Sequence, residues 1–388
     1  MKWNVVVVRY GEIALKGPIV RERMENTLMR NILWRARRSG IAIKKIGIRN
    51  ARVIVYPDNV ERCRDLAIEI TKVFGVVSTS PALETSNDIE TVSKIAIEIA
   101  REKMSENAKS FAIRARRVES YPLTSKDIER IVGQRVKEAL GLRVDLEQPD
   151  IEIHIEMRSD RAYIYTDVLR GPGGLPYGVE GLCVSLFSGG MDSTLASWLM
   201  AKRGCRIRLL HMRLYPLYGE DAFERAITVA KQLREWFPED DYAMAIVDNY
   251  GELLKELITV VPERIRCIVC KRLMLEIAQR YANEIGAKAI ITGESIGQVA
   301  SQTLDNVYAI HTGIEIPILT PVIAMDKEEI AQKLREIGLY TYVARSVIAC
   351  KVTPRYPETH VDIHIVRKYL DKVRDIAKKA VIKELKLD

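Results

Sequence analysis

The sequence predicts a multidomain protein in which small α+β units precede a doubly wound α/β domain with a parallel sheet. The chain has 388 residues, enough for about two to three domains. After residue 181, continuous apolar runs alternate with helical patterns, as is typical of parallel strands buried on both faces. The densest Gly/Pro stretch, GPGGLPYG at 171–178, comes just before this region. We therefore expect a linker at 171–180 and the α/β domain at 181–388.

The first 75 residues predict a ferredoxin-like domain. Hydrophobic periodicity indicates a strand at 4–9, a basic helix at 21–38, two strands within 41–56 and a helix at 58–73 that buries Val60 and Leu66. The resulting β-α-β-β-α order is typical of a small ferredoxin-like unit at 1–75.

Residues 76–170 predict a second α+β domain. Its expected elements are a helix at 89–104, a strand at 110–116, a helix at 125–140 and strands at 151–157 and 161–168. Side chains alternate between the faces of a strand, so Glu152, His154 and Glu156 lie opposite the apolar residues of 151–157. We expect that face to be the solvent side.

The α/β domain is predicted to contain strands at 182–187, 207–212, 243–247, 287–292 and 316–322. The tail at 361–387 is basic and has helical periodicity. It predicts an amphipathic helix at the end of the chain.

Positive charge is concentrated at the start of the chain. The formal net charge is +8, and residues 1–50 hold twelve basic side chains against three acidic ones. A basic end segment indicates a polyanionic partner, either nucleic acid or an anionic membrane surface, although a solvated basic face would give the same pattern.

Targeting and membrane signals are not found in the sequence. At the start of the chain, MKWNVVVVRY, four valines are followed at once by the charged Arg9, so the apolar run is too short for the core of a signal peptide. No apolar run of the sequence is long enough to span a bilayer. Six cysteines are too sparse for a disulfide framework at this length. We expect a cytoplasmic protein with no membrane association, in which clustered cysteines bind metal or react.

The stretch SGGMDS at 188–193 follows a buried strand, opens a helix and predicts an anion site. Gly189 and Gly190 allow a phosphate to approach the backbone, while Ser188 and Ser193 add hydroxyl donors. Asp192 beside phosphates indicates bridging Mg²⁺. The Lys of a Walker A loop is missing, which argues against γ-phosphate cleavage. The alternative is an ordinary turn rich in small residues.

Three cysteines of the α/β domain form a candidate reactive or metal-binding set. Cys267 and Cys270 open a predicted helix, where they share one face and where the helix N-terminus favours the thiolate. Cys350 lies in a predicted loop. Zinc, disulfide exchange and an iron-sulfur cluster all use such a pair, and three unrelated buried thiols remain an alternative. Cys63, Cys183 and Cys205 are expected in the core.

These motifs resemble those of a known family. SGGMDS resembles the PP-loop of ATP pyrophosphatases, and the stretches 110–136 and 150–178 resemble a THUMP RNA-binding domain. With TGESIGQVASQTLDN at 292–306, the chain resembles the tRNA 4-thiouridine synthetase (tRNA sulfurtransferase) family, in its archaeal form, over nearly its whole length.

The resemblance implies that ATP adenylates O4 of a tRNA uridine, at position 8 in the family, and that sulfur then displaces AMP to give 4-thiouridine. The implied catalytic residues are Asp192, Cys267, Cys270 and Cys350, the last in the place of the catalytic cysteine. The implied ATP-binding residues are Leu186, Phe187, Ser188, Gly189, Gly190, Asp192, Ser193, His211, Met212, Lys271, Arg272, Gly293 and Gln302.

The resemblance also implies cofactors and partners. Cys267, Cys270 and Cys350 would hold a [4Fe-4S] or [3Fe-4S] cluster, and Mg²⁺ would accompany ATP. The expected RNA-binding residues are Arg35, Arg37, Arg38, Arg114, Arg116 and Arg117.

Several points stay open. The chain ends at Asp388 without the rhodanese-like domain of longer bacterial members, so the sulfur donor is either sulfide or a persulfide-carrying protein, and the family's link to thiamine synthesis is weaker. The sequence does not determine the oligomeric state, and a homodimer is one candidate. Two alternative functions are a PP-loop ligase that aminates its adenylated substrate and a non-catalytic tRNA-binding protein.

Overall fold

The computed structural model describes residues 2–104, 107–217, 220–345, 347 and 350–387. The chain separates into two compact units, Met1–Pro176 and Tyr177–Asp388. The predicted combination of α+β units with a parallel α/β domain is confirmed. Among the helices that these residues form, none has the length and hydropathy needed to cross a membrane.

The first unit combines strands with four long helices in its described part. The strands are β1 Val5–Tyr10, β2 Ile43–Arg49, β3 Arg52–Pro57, β4 Val76–Ser86, β5 Ser110–Arg117, β6 Arg143–Val144, β7 Ile151–Met157, β8 Arg161–Tyr165 and β9 Leu169–Arg170. The helices are α1 Pro18–Arg38, α2 Cys63–Ile70, α3 Ile89–Met104 and α4 Ser125–Leu140. Helix α4 has the predicted bounds because Thr124 and Asp127 form a capping box and Gly141 ends the helix in the left-handed conformation.

Strand β4 is the main element that the sequence analysis missed. It pairs with β1 on one side and β8 on the other, so the described strands of the unit form one sheet in the order β2-β3-β1-β4-β8-β7-β5-β6, with β9 also paired to β4. Its sequence, VVSTSPALETS, carries small polar residues and Pro81 instead of clear alternation. Thr79 and Ser80 are nevertheless fully buried. Tertiary pairing therefore overrides a weak local strand signal.

The prediction that one face of β7 meets solvent was wrong at Glu156, whereas Glu152 and His154 on that face are partly exposed. Glu156 is only 1% exposed. Its carboxylate accepts a hydrogen bond from Arg9 Nε at 3.0 Å, lies 3.3 Å from Arg52 Nε and pairs with Arg158. His154 is half-buried and stacks on Tyr165 at 5.0 Å between ring centroids. The face is closed around Glu156 because these arginine side chains fold over it.

The helix predicted at 58–73 is also shorter than expected. Asn59 caps a short 3₁₀ turn at Val60–Arg62, and the α-helix α2 begins only at Cys63. Val60 is consequently exposed, whereas Leu66 is buried as predicted.

The second unit is the predicted doubly wound sheet. Its described strands are β10 Leu182–Leu186, β11 Arg206–Met212, β12 Ala243–Val247, β13 Ala289–Ile291, β14 Ile318–Leu319 and β15 Ile382–Lys386. Its described helices are α5 Met191–Lys202, α6 Asp221–Arg234, α7 Tyr250–Val260, α8 Arg266–Ile285, α9 Leu304–His311, α10 Lys327–Glu336, α11 Tyr340–Val343, α12 Ile363–Arg367 and α13 Leu370–Lys378.

Strands β10 to β14 pair in parallel in the order β14-β13-β10-β11-β12. Val184, Leu210 and Ala245 from three of these strands are buried in one apolar core. The carboxyl ends of β10, β11 and β13 therefore lie side by side at one edge of the sheet, which is where a ligand of such a fold binds.

The prediction of one amphipathic helix at 361–387 was wrong. The tail forms α12 and α13 and then turns into β15, which pairs antiparallel with β12 from Ala243↔Lys386 to Val247↔Ile382. The stretch IKELK carries three exposed charged residues, Lys383, Glu384 and Lys386, which suits a strand at the edge of a sheet.

Candidate active site

The loop between β10 and α5 has the close packing that its glycines predict. Gly189 has a φ of +69°, and a Cβ there would lie 2.6 Å from Ala226 Cα. Within the loop, Gly190 N donates to Ser188 Oγ and Ser188 N donates to Ser193 Oγ, both at 3.2 Å. A side chain at position 189 would thus clash, and the first turn of α5 keeps its amides at the edge of the sheet.

A cavity of about 460 Å³ opens beside this loop. Its volume suits a small-molecule ligand of nucleotide size. The predicted ATP residues that line it are Leu186, Phe187, Ser188, Asp192, Ser193, His211, Met212, Lys271, Gly293 and Gln302. Residues from distant parts of the unit therefore meet in one place.

Gly293 brings the end of β13 against the loop. A Cβ on Gly293 would lie 2.6 Å from Ser193 N and 2.7 Å from Asp192 C, so any side chain there would force the two segments apart. This close approach accounts for a glycine at this position.

His211 lies at the apolar end of the cavity beside Phe187 and Met212. The ring is buried, and its Nδ1 lies 2.9 Å from the Phe187 carbonyl oxygen. Burial lowers the pKa of His211 to about 4, so the ring is neutral at pH 7. A neutral ring hydrogen-bonded to the backbone positions this wall without adding charge to it.

Two cationic residues at the loop were missed in the sequence analysis. Lys327 Nζ, at the start of α10, lies 2.7 Å from both carboxylate oxygens of Asp192. Arg225, in α6, lines the cavity with Nη2 at 3.5 Å from the Ser188 carbonyl oxygen. Neither residue lies in a motif, and only folding brings them to the loop.

Lys271 and Arg272 are neighbours in sequence but differ in position. Lys271 lines the cavity with Nζ 3.8 Å from Glu294 Oε1, and burial lowers the pKa of its ammonium group. Arg272 is 0% exposed. It donates to Glu276 at 2.7 Å and to the Ile310 and Thr312 carbonyls. Arg272 is therefore a structural residue, and we no longer include it among the residues expected to contact ATP.

The three candidate cysteines lie close to one another at one side of the cavity. Cys350 is exposed and lines the cavity, although its neighbours 346, 348 and 349 lie outside the described residues. Burial raises the pKa of Cys267, and burial with the nearby charges of Cys350 and Cys267 raises the pKa of Cys270 to about 12. The expected preference of the helix N-terminus for a thiolate is thus outweighed by desolvation.

Tyr250 contacts this thiol set. Its buried hydroxyl lies 3.1 Å from Cys270 Sγ. Within the described part of the chain, no group of three His, Cys, Asp or Glu residues is arranged to hold a metal ion. Cys63, Cys183 and Cys205 are buried in the core, as predicted.

The six arginines predicted to bind RNA fall into two groups. Arg35 is buried and bonds Glu69, Arg114 pairs with Glu152 at 2.6 Å, and Arg117 donates to the Val118 and Glu119 carbonyls. Arg37, Arg38 and Arg116 are exposed. Arg35 is therefore held in the fold, whereas the exposed group can reach a polyanion.

The fold and the cavity define a class: a PP-loop type of ATP-binding α/β unit preceded in the chain by α+β domains, the first of which is basic. The chain matches the ThiI family, described as "Thiamine biosynthesis protein (ThiI)", over residues 178–374. It also matches the THUMP domain over 86–167 and the ThiI ferredoxin-like domain over 5–80. The chain belongs to the ThiI family of tRNA sulfurtransferases.

Curated relatives agree with this assignment. A "Probable tRNA sulfurtransferase" of Methanothermobacter thermautotrophicus is 37% identical over 96% of this chain and 94% of its own length. A protein of the same name from Aeropyrum pernix is 38% identical over 97% of this chain and 93% of its own length.

Solved structures agree as well. A 4-thiouridine synthetase in complex with RNA and bound ATP matches with a TM-score of 0.83 and 31% identity, over 99% of this chain and 100% of that one. PH1313 from Pyrococcus horikoshii matches with a TM-score of 0.69 and 27% identity, over 86% of this chain and 99% of that one.

Proposed function

We infer that this protein is an ATP-dependent tRNA sulfurtransferase that converts a tRNA uridine to 4-thiouridine. One observation supports this function most directly: the loop residues Ser188 and Asp192 line the same cavity as Cys350. An adenylated base bound at the loop would therefore lie within reach of a sulfur-carrying group.

ATP would occupy the cavity with its phosphates at the start of α5. Helix α5 begins there, Ser188 and Ser193 line the cavity, and helix N-termini favour anions. The apolar wall formed by Leu186, Phe187 and Met212 suits the adenine ring. Binding would place the α-phosphorus near the loop, where an incoming O4 can attack it.

Asp192 would serve the charged end of ATP. A carboxylate oxygen is a ligand that Mg²⁺ accepts, and the bound ion would neutralise phosphate charge. Lys327 already pairs with Asp192 and provides a second positive charge at this point. Both residues would therefore favour departure of pyrophosphate.

The sulfur step would fall to the thiol set of Cys267, Cys270 and Cys350. The cysteines influence one another's pKa, and Cys350 lines the cavity that would hold the adenylated uridine. As thiolates they would be the ligands of the iron-sulfur cluster that the archaeal branch implies, which would supply an iron site for hydrosulfide, although in this structure the three are not arranged around a metal position. With hydrosulfide, sulfur bonds to C4 and AMP leaves. The alternative is a persulfide on Cys350, loaded by a donor protein: its terminal sulfur bonds to C4 as AMP leaves, and the thiolate of Cys267 or Cys270 then attacks Cys350 Sγ, which breaks the S–S bond, forms a disulfide and releases 4-thiouridine.

The substrate would be tRNA at uridine 8, contacted at phosphates by Arg37, Arg38 and Arg116 of the first unit. We further propose that the protein acts in the cytoplasm, where its thiols stay reduced. None of the contacts described above favours amination or RNA binding without catalysis over this reaction.

Mass spectrometry of nucleosides tests the proposed function. Unmodified tRNA is incubated with the protein, ATP, Mg²⁺ and sulfide, then digested. The expected product is 4-thiouridine in amounts that depend on ATP. A new cytidine in place of the uridine would instead show amination, and an unchanged nucleoside profile with intact tRNA binding would show a non-catalytic protein.

A further inference from the structure

Glu294 is a buried carboxylate in the wall of the cavity. It is 6% exposed. It directly follows Gly293, whose backbone packs against Ser193 in the loop. Its other neighbour, Lys271, belongs to the first turns of α8 beside Cys270. Glu294 therefore lies between the loop that would bind ATP and the thiol set.

The two oxygens of Glu294 have different surroundings. Thr292 Oγ1 donates to Oε2 at 3.0 Å, and His311 Nε2 lies 2.8 Å from the same oxygen. Oε1 forms a looser ion pair with Lys271, whose Nζ lies 3.8 Å away. The close contacts of Oε2 thus fix the carboxylate in place, and Oε1, with its longer contact, is the oxygen that we assign to a ligand.

The other two described carboxylates of the cavity have closer contacts to lysine or arginine than Glu294 has to Lys271. Asp192 binds Lys327 through both oxygens, and Glu220, which is more exposed, pairs with Arg213 at 3.1 Å. Among the described residues that line the cavity, Glu294 is thus the buried carboxylate best able to accept a proton.

Adenylation of a uridine creates a proton that must leave. As O4 bonds to the α-phosphorus, the bond from that phosphorus to the pyrophosphate oxygen breaks and its electron pair leaves with pyrophosphate. The ring gives electrons to O4, so its N3–H becomes strongly acidic. Loss of this proton to a nearby base keeps the adenylated ring neutral.

We propose that Glu294 is the base that accepts the N3 proton of the target uridine during adenylation, with Thr292 and His311 as positioning residues. This assignment rests on the proposed function. It gives a role to the Glu of TGES, which lies next to the phosphate-facing Gly293 but is not itself one of the ATP contacts.

The charge state of Glu294 suits this role. Burial raises the pKa of the carboxyl group, but the hydrogen bond to His311 and the charge of Lys271 outweigh it, so the pKa lies below its ordinary value. The group is therefore ionised at neutral pH. A weakly basic carboxylate is sufficient because the proton that it takes has become acidic.

The test compares Glu294→Gln with wild type on two tRNA transcripts, one made with uridine and one with 5-fluorouridine. Fluorine withdraws electrons and makes N3–H more acidic, so the rate of adenylation should depend less on the carboxylate of Glu294. For uridine tRNA, pyrophosphate release should fall about 100-fold or more, the range for loss of a general base. For 5-fluorouridine tRNA the loss should be at least tenfold smaller, and ATP affinity should stay within about threefold of wild type.

Three controls make the test specific. Glu294→Asp keeps a displaced carboxylate and should recover part of the rate. Asp192→Asn should lose equal activity on both transcripts, since it does not act on N3. Glu252→Gln, an exposed change on α7, should match wild type.

The proposal is overturned by a Glu294→Gln protein that keeps its rate, that loses equal activity on both transcripts, or that no longer binds ATP. The last two results would assign Glu294 a structural role. A wild-type protein that binds ATP and tRNA but releases no pyrophosphate would overturn the proposed function itself, and this inference with it.

Discussion

Two buried carboxylates, Glu156 in the first unit and Glu294 in the second, show how similar burial can serve different ends. Glu156 is bound by Arg9, Arg52 and Arg158, so both of its oxygens face cations. Glu294 lines the cavity, is fixed through Oε2 and has only a looser ion pair with Lys271 at Oε1. A carboxylate bound closely by cations at both oxygens is held within the fold, whereas one that lines a cavity with a looser cation contact can take part in chemistry.

The largest effect is expected from Asp192→Ala, because this carboxylate shares features with both Glu156 and Glu294. Asp192 pairs with Lys327 but lies at the phosphate end of the cavity. Pyrophosphate release should fall by about three orders of magnitude or more, since charge stabilisation of the leaving group is lost. Affinity for tRNA, measured by filter binding, should stay within a few fold. Release at the wild-type rate would contradict the role of Asp192.

The same comparison can be made between the thiol set near the cavity and a cysteine in the core. Anaerobically purified protein should be brown, and Cys267→Ala, Cys270→Ala and Cys350→Ala should each lose both iron and thiolation. Cys63→Ala should lose neither, because Cys63 is a core residue whose thiol bonds the Val5 carbonyl. Iron analysis and nucleoside mass spectrometry measure the two properties. Colourless, iron-free protein with full thiolation would favour a persulfide on Cys350.

Glu156→Gln tests the structural side of the comparison. Removing this charge leaves three arginines around a neutral amide, so the free energy of unfolding should fall by about 3–5 kcal/mol. Activity per folded molecule should not change. Glu152→Gln, which breaks the more exposed pair with Arg114, should cost less than about 1 kcal/mol in the same denaturant titration. Equal losses in the two variants would refute the distinction.

The pH dependence of unfolding gives a second measure of Glu156. Burial alone would raise its pKa, but the three arginines lower it from 4.5 to about 2. A lowered pKa means that the folded state gains stability above the ordinary pKa and loses it as pH falls from about 4.5 to 2. The contribution of Glu156 to this loss is about 3 kcal/mol. The acid-dependent loss of Glu156→Gln should therefore be smaller than that of wild type by about this amount.

The smallest effect is expected from replacing single arginines of the first unit, and it concerns the salt dependence of tRNA affinity. Arg116 is exposed, whereas the guanidinium of Arg35 is bonded to Glu69. If Arg116 contacts a tRNA phosphate, Arg116→Gln should reduce the slope of log affinity against log salt by about one. Arg35→Gln should leave that slope unchanged. Equal slopes for wild type and both variants would remove Arg116 from the RNA contacts.

Local sequence was sufficient where backbone requirements are strict. The loop 188–193 was identified because strand, glycines and helix follow one another without a break, and Gly189 and Gly190 are needed for their geometry. The same holds for α4, whose ends are set by Thr124 and Gly141. The class of the fold and the position of this loop could be predicted from local sequence.

Only the tertiary structure decided which charged side chains are available to a ligand and which are bound by other residues of the fold. Nothing in the sequence separates Glu156 from Glu152, or Lys271 from Arg272, because local pattern does not record what the far side of a sheet or helix meets. Strand pairing across 147 residues brings Arg9 to Glu156, and folding across 135 residues brings Lys327 to Asp192. Whether a charge is closed off or open to a ligand depends on such long-range neighbours, and these exist only once the chain has folded.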